Sequence, residues 1–158
     1  MKTAASGNSG KDTYPFKIVK KDEGLRLNVM GDHQTIKLTG EDTDGKFTLV
    51  EQNNLPGTQI PMHFHENEAE IFKVESGEVI FSLPKKTFTL RAGEMIYLPP
   101  LTPHGFHVSG DSPARVSLSI YPSGIEGMFR ELSALPEGPP DFARITEICG
   151  NYGVRFIM

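Results

Sequence analysis

From about Tyr14 to Tyr121 the chain is a succession of short segments in which apolar and polar residues alternate, broken by glycine-containing joints. Successive side chains of a strand leave opposite faces, so period-two alternation suits a half-buried strand and leaves a helix with no continuous apolar stripe. Leu25, Leu27 and Val29 begin the rhythm, which recurs at Phe47/Leu49, Val79/Phe81/Leu83, Phe88/Leu90, Phe106/Val108 and Val116/Leu118/Ile120. Asp44-Gly45, Ser76-Gly77, Ala92-Gly93 and Gly110-Asp111 are pairs that tolerate the left-handed backbone of tight turns. Roughly ten short strands at such spacing predict an all-β domain, a closed or nearly closed barrel.

After Pro122 the period changes to that of a helix. Ile125, Met128, Phe129 and Leu132 fall at i, i+3, i+4 and i+7, with Ser123 as the expected cap and Glu126 in the capping-box position. A second helix is expected from about Asp141 to Asn151, burying Phe142, Ile145 and Ile148, with Gly153 near its end. Met1 to Thr13 is small, polar and aperiodic, and reads as a flexible tail. The expected division is therefore a tail over 1–13, a barrel over 14–122 and a helical extension over 123–158.

A chain of 158 residues is long enough to bury a real core within one domain. Its 16 basic residues are outnumbered by 20 acidic ones, and no basic cluster exceeds Lys20-Lys21 or Lys85-Lys86, which argues against a nucleic-acid partner. One cysteine makes no internal disulfide, which fits a reducing compartment. The first residues hold no apolar core of a secretory signal, and no apolar run approaches the roughly 18 residues of a membrane helix. A cytoplasmic protein without a membrane partner is expected.

The chemistry concentrates between Gly57 and Gly77. His63 and His65 are two apart, so on a strand both imidazoles leave one face. Glu70 is in phase with Phe72 and Val74, the inward side of the next strand, whereas Glu66 and Glu68 are expected as exposed carboxylates in the intervening turn. His104 is in phase with Phe106 and Val108, while His107 is out of phase and expected outward. Three neutral imidazoles and an inward carboxylate suit a divalent transition metal and leave coordination positions open. Gln59 is in phase with the histidines, and Phe72, Phe81 and Phe106 are expected on the inner wall.

These residues resemble the cupin superfamily. The pattern G-x5-H-x-H-x4-E-x6-G is met in full by Gly57, His63, His65, Glu70 and Gly77, and G-x5-P-x-G-x2-H-x3-N is met at Gly93, Pro99 and His104. Leu101 stands where the second pattern has glycine, and Val108 where it has asparagine. The helical tail also looks like that of small single-domain, quercetin-dioxygenase-like cupins. The resemblance implies a double-stranded β-helix, or jelly roll, with one metal ion held by His63, His65, Glu70 and His104. It implies as well that Glu70 accepts a proton during catalysis and that the protein is a homodimer. The ion is iron, manganese, nickel, copper, cobalt or zinc by donor type. A dioxygenase acting on a small aromatic or apolar molecule is the expected activity. The alternatives are a non-catalytic barrel holding a sugar or metabolite, and a metal-dependent isomerase or decarboxylase.

Other candidates read as ordinary structure. His33 and His107 are expected at the surface, and Cys149 as a small buried hydrophobe. Asp42, Asp44, Gly45 and Glu51 match offsets of a calcium loop counted from Gly40, but Gly40 has no side-chain oxygen, and a hairpin turn explains them. Gly7 to Lys11 lacks the spacing of a phosphate loop. Met62, Phe64 and Ile71 leave the face opposite the metal and are expected to form an outer apolar strip, covered by the N-terminal strands around Phe16 and Ile18, by the helical tail or by a second copy, of which the resemblance favours the second copy.

Overall fold

In the computed structural model, residues 14–158 are described, so the expected tail over 1–13 lies outside the described residues. The alternating segments form β1 (Leu25–Val29), β2 (Asp32–Leu38), β3 (Thr48–Asn54), β4 (Gln59–His65) and β5 (Ala69–Ser76). They continue as β6 (Glu78–Leu83), β7 (Lys86–Arg91), β8 (Met95–Leu98), β9 (His104–Ser109) and β10 (Ala114–Tyr121). Two helices, α1 (Glu126–Ser133) and α2 (Phe142–Asn151), and a short strand β11 (Val154–Phe156) follow. The strands pair antiparallel into a six-stranded sheet, β1-β2-β3-β10-β5-β8, and a five-stranded sheet, β11-β4-β9-β6-β7. Consecutive strands repeatedly change sheet, which makes this all-β architecture a double-stranded β-helix with a helical extension. Phe72, Val74, Phe81, Val116, Leu118 and Ile120, all nearly inaccessible, fill the space between the sheets.

Strand facing follows the expected period but not everywhere the expected phase. In β3 the buried set is Thr48, Val50, Gln52 and Asn54, while Phe47 and Leu49 are half-exposed. Register decides this: Thr48, Val50 and Gln52 lie opposite Ile120, Leu118 and Val116 of β10, and directly paired residues share a face. Gln59 is likewise exposed rather than inward. The β4–β9 ladder slips by one residue between Ile60 and His63, so Gln59 pairs with outward His107, Ile60 with inward Phe106 and His63 with His104. The bulge brings β4 so near β9 that a Cβ on Gly105 would stand 2.9 Å from the Ile60 carbonyl oxygen. Leu25 and Phe88, apolar members of expected alternations, are exposed.

The helical extension carries the expected stripe, with Ile125, Met128, Phe129 and Leu132 buried. Its start differs. Ile125 occupies the cap position without a side-chain hydrogen bond, and Glu126 instead accepts from Thr48 Oγ1 and from the amides of Gly40 and Gly124. Ser123 is thus not the cap. Asp141 does cap α2, accepting from the Arg144 amide at 3.0 Å. Ile145, Ile148 and Cys149 form its buried face, whereas Phe142 is 67% exposed because it sits at the first helical turn, beyond the face that meets the barrel. No helix among the described residues is long and apolar enough to cross a membrane.

Candidate metal centre

Three strands from both sheets converge on one point of the interior. β4 contributes His63 and His65, β5 contributes Glu70, and β9 contributes His104 directly opposite His63. All four are buried, and one ligand-type atom from each lies within 4.8 Å of those of the others. His33 is exposed on β2 and His107 is half-buried, both outside this group.

Two of the imidazoles are held by the far nitrogen. His63 Nδ1 lies 2.8 Å from the Pro61 carbonyl oxygen and His104 Nδ1 lies 2.9 Å from that of Thr102. A carbonyl only accepts, so Nδ1 carries the proton in both rings and Nε2 presents a bare lone pair. His65 Nδ1 faces the Glu68 carboxylate at 3.4 Å. Glu68 is therefore not an exposed turn residue: it is 7% exposed and backs a candidate ligand. Nothing in the sequence marks it, because it lies in the turn before β5. Glu66 does stay exposed, pairing with Arg155.

The inner atoms face one another. His104 Nε2 lies 2.9 Å from Glu70 Oε2, and His65 Nε2 lies 3.4 Å from Glu70 Oε1. With Nδ1 as the donor to Thr102, the His104–Glu70 approach sets a lone pair against a carboxylate oxygen. His65 Nε2, His104 Nε2 and Glu70 Oε2 are buried and lack hydrogen-bond partners. Such unpartnered acceptors at close range fit a divalent cation shared among them, and the nitrogen-rich donor set fits a first-row transition ion. Burial and the neighbouring imidazoles push His63 down to about 4, keeping it neutral. Burial favours the protonated Glu70 carboxyl, but His65, His104 and His63 outweigh it and hold the group below its ordinary value. Burial works against charge on His65 too, yet Glu70 and Glu68 raise it.

The loop before β9 locks this arrangement. The Leu101 amide donates to the His65 carbonyl at 2.7 Å, tying the loop to the ligand strand. Leu101 adopts φ 69°, the left-handed backbone that explains why the related pattern has glycine here. A cavity of ≈ 60 Å³ adjoins His63, His65 and Glu70, walled by Ile60, Phe72, Phe106, Leu118, Met128 and Phe156. Met30 and Leu132 line both this cavity and a broader groove of ≈ 840 Å³ beneath the loop from Leu135 to Asp141. Cys149 also borders the cavity, and burial pushes its thiol up to about 11, leaving it inert at neutral pH.

Residues 50–121 match the family model described as a cupin domain. An uncharacterised protein of Methanocaldococcus jannaschii is 30% identical over 77 residues, 49% of this chain and 62% of that protein. Quercetin 2,3-dioxygenase of Bacillus subtilis is 24% identical over 120 residues, 76% of this chain but 35% of the relative. The match thus spans less than two thirds of either curated relative. Among solved structures, a conserved protein with a double-stranded beta-helix domain from Klebsiella pneumoniae superposes with a TM-score of 0.57 at 23% identity, covering 68% of this chain and 90% of the other.

Proposed function

We propose that this chain, whose residues 50–121 match the cupin-domain family model, is a metal-dependent dioxygenase of a small aromatic or apolar substrate. The observation that carries the reading is a cluster of bare nitrogen lone pairs and an ionised carboxylate opening onto an apolar cavity. His63, His65 and His104 would hold one divalent transition ion through their inner nitrogens, and Glu70 through a carboxylate oxygen. When bound, that ion supplies Lewis acidity and a route for electrons between substrate and dioxygen. The rest falls to the chain. Glu70 accepts the proton of a substrate hydroxyl on its carboxylate oxygen. Phe72, Phe106 and Ile60 hold the carbon skeleton and exclude water, so the deprotonated substrate meets dioxygen in a dry space. Both oxygen atoms enter the substrate, and Glu70 returns its proton to the product. Similarity to quercetin 2,3-dioxygenase of Bacillus subtilis supports this class.

Elemental analysis of protein purified without added metal, followed by uptake of isotopically labelled dioxygen in the presence of small phenols and enols, tests the proposal. Iron, manganese, nickel, copper or cobalt with label in the product is the expected result. Zinc with no oxygen uptake would move the protein to isomerisation, decarboxylation or simple ligand binding, and a metal-free protein that takes up no ion would overturn the reading.

A further inference from the structure

The metal reading uses the histidine wall of the cavity and leaves a second polar group unexplained. On the six-stranded sheet, β2 and β3 turn Asp32, Gln34, Gln52 and Asn54 inward, each 4% exposed or less. Asp32, Gln34 and Gln52 line the same cavity as His63, His65 and Glu70. Four polar side chains on an inner barrel wall displace apolar packing and need a reason.

Their hydrogen bonds are directional. Asn54 Nδ2 donates to Asp32 Oδ1 at 2.8 Å, while Gln34 Nε2 and Gln52 Nε2 both donate to Oδ2, each at 2.8 Å. Asn54 Oδ1 is satisfied in turn by the His33 amide at 2.7 Å. A carboxylate accepts and does not donate, so reversing the Gln34 amide would set its oxygen against Asp32. Asp32 thereby fixes which end of Gln34 faces away from it. That end, Gln34 Oε1, is buried and has no hydrogen-bond partner. Gln34, which lines the cavity from the sheet facing the histidine strands, thus carries a free acceptor of fixed orientation, with Ile60, Phe72, Phe106 and Leu118 also on the cavity wall.

We propose that Gln34 Oε1 accepts a hydrogen bond from a hydroxyl or N–H of the substrate, with Asp32 as its positioning residue, so that the cavity selects a small neutral molecule bearing a metal-binding group at one end and a donor at the other. The inference rests on the metal reading above and names the chemistry of the substrate more closely. An anionic end group is disfavoured, because it would approach the Gln34 amide oxygen, which is itself backed by the Asp32 carboxylate.

Three hydroxamates of matched length test this on the nickel-loaded full chain: butanohydroxamate with a terminal methyl, 3-hydroxypropanohydroxamate with a hydroxyl in its place, and the monohydroxamate of malonate with a carboxylate. Binding is read by calorimetry, and nickel content is measured in the same samples. The hydroxyl compound should bind about three- to ten-fold tighter than the methyl compound, the yield of one neutral hydrogen bond, and the carboxylate weakest. Gln34→Met, of similar length, should abolish the hydroxyl preference without lowering nickel content, and Asp32→Asn, which frees Gln34 to reverse, should reduce it. Equal affinities for methyl and hydroxyl compounds in nickel-loaded wild type overturn the inference and leave the metal site standing. A preference that survives intact in folded, nickel-loaded Gln34→Met overturns it as well. Failure of the wild type to hold nickel overturns the metal reading itself, and this inference with it.

Discussion

A histidine presents a lone pair to a metal best when something fixes its other nitrogen; here backbone carbonyls do so for His63 and His104, and the Glu68 carboxylate stands 3.4 Å from His65 Nδ1. His63→Ala, His65→Ala and His104→Ala should each strip metal from the purified protein, whereas His33→Ala and His107→Ala should retain it. Glu70→Gln should weaken binding less than loss of a histidine, since the amide keeps an oxygen donor. Glu68→Gln should lower affinity about 10- to 100-fold without abolishing it, as outer partners of ligands do. Competition with a chromophoric chelator measures all of these, and wild-type affinity in Glu68→Gln would reduce that residue to packing. Leu101 gives a stability test. Its left-handed backbone costs a leucine about 1–2 kcal/mol, and its 62% exposed side chain loses little packing when removed. Glycine gives back about 0.5–1 kcal/mol in unfolded-state entropy. Leu101→Gly should thus raise the unfolding free energy by up to about 1.5 kcal/mol and move the urea midpoint upward, and a lowered midpoint would show that the exposed leucine packs on something. At this scale the four candidate ligands were legible because fixed spacing and strand phase are local properties. Glu68 was hidden because a turn has no period to say which way a side chain points.

At the level of elements, the helical extension does more than cover the barrel. β11 pairs with β4, setting Val154 opposite His65 and Phe156 opposite His63, and the Ile157 amide donates to the Met62 carbonyl at 2.9 Å. The strand that carries two candidate ligands is thereby an inner strand of its sheet, held on both sides. Removing residues 153–158 should lower metal affinity and melting temperature together while circular dichroism keeps its β signature. Loss of the buried Val154 side chain alone removes on the order of 1.5–3 kcal/mol, and the half-buried Phe156 adds less than a fully buried ring would. Removing residues 123–158 also uncovers what Ile125, Met128, Phe129 and Leu132 pack on, and should cause aggregation. A protein lacking 153–158 with unchanged metal affinity would make β11 a bystander. The stripe of α1 was readable because helical spacing is visible in eight residues. β11, three residues long, has too little sequence to show any period.

For the molecule as a whole, the outward side chains of the ligand strands bear on association. Met62, Phe64 and Ile71 remain half-exposed in the single chain, Phe64 lying across from Arg155. Sedimentation should show a homodimer for wild type and a metal-loaded monomer for Phe64→Glu; a wild type that is monomeric at micromolar concentration ends the idea. The two sheets, the convergence of His63, His65, Glu70 and His104, and the buried stripe of α1 all follow from patterns contained within one strand, one helix or one short motif. Those are the features that the sequence by itself determined. The facing of β3, the outward turn of Gln59 and the burial of Glu68 were settled only by the tertiary structure. Gln52 and Asn54 point inward because Val116 and Ala114, more than 55 residues further along the chain, are their partners in β10. Gln59 points outward because β9 slips past β4 by one residue. A polar residue carries no intrinsic preference strong enough to choose a face, so its neighbours in space choose for it.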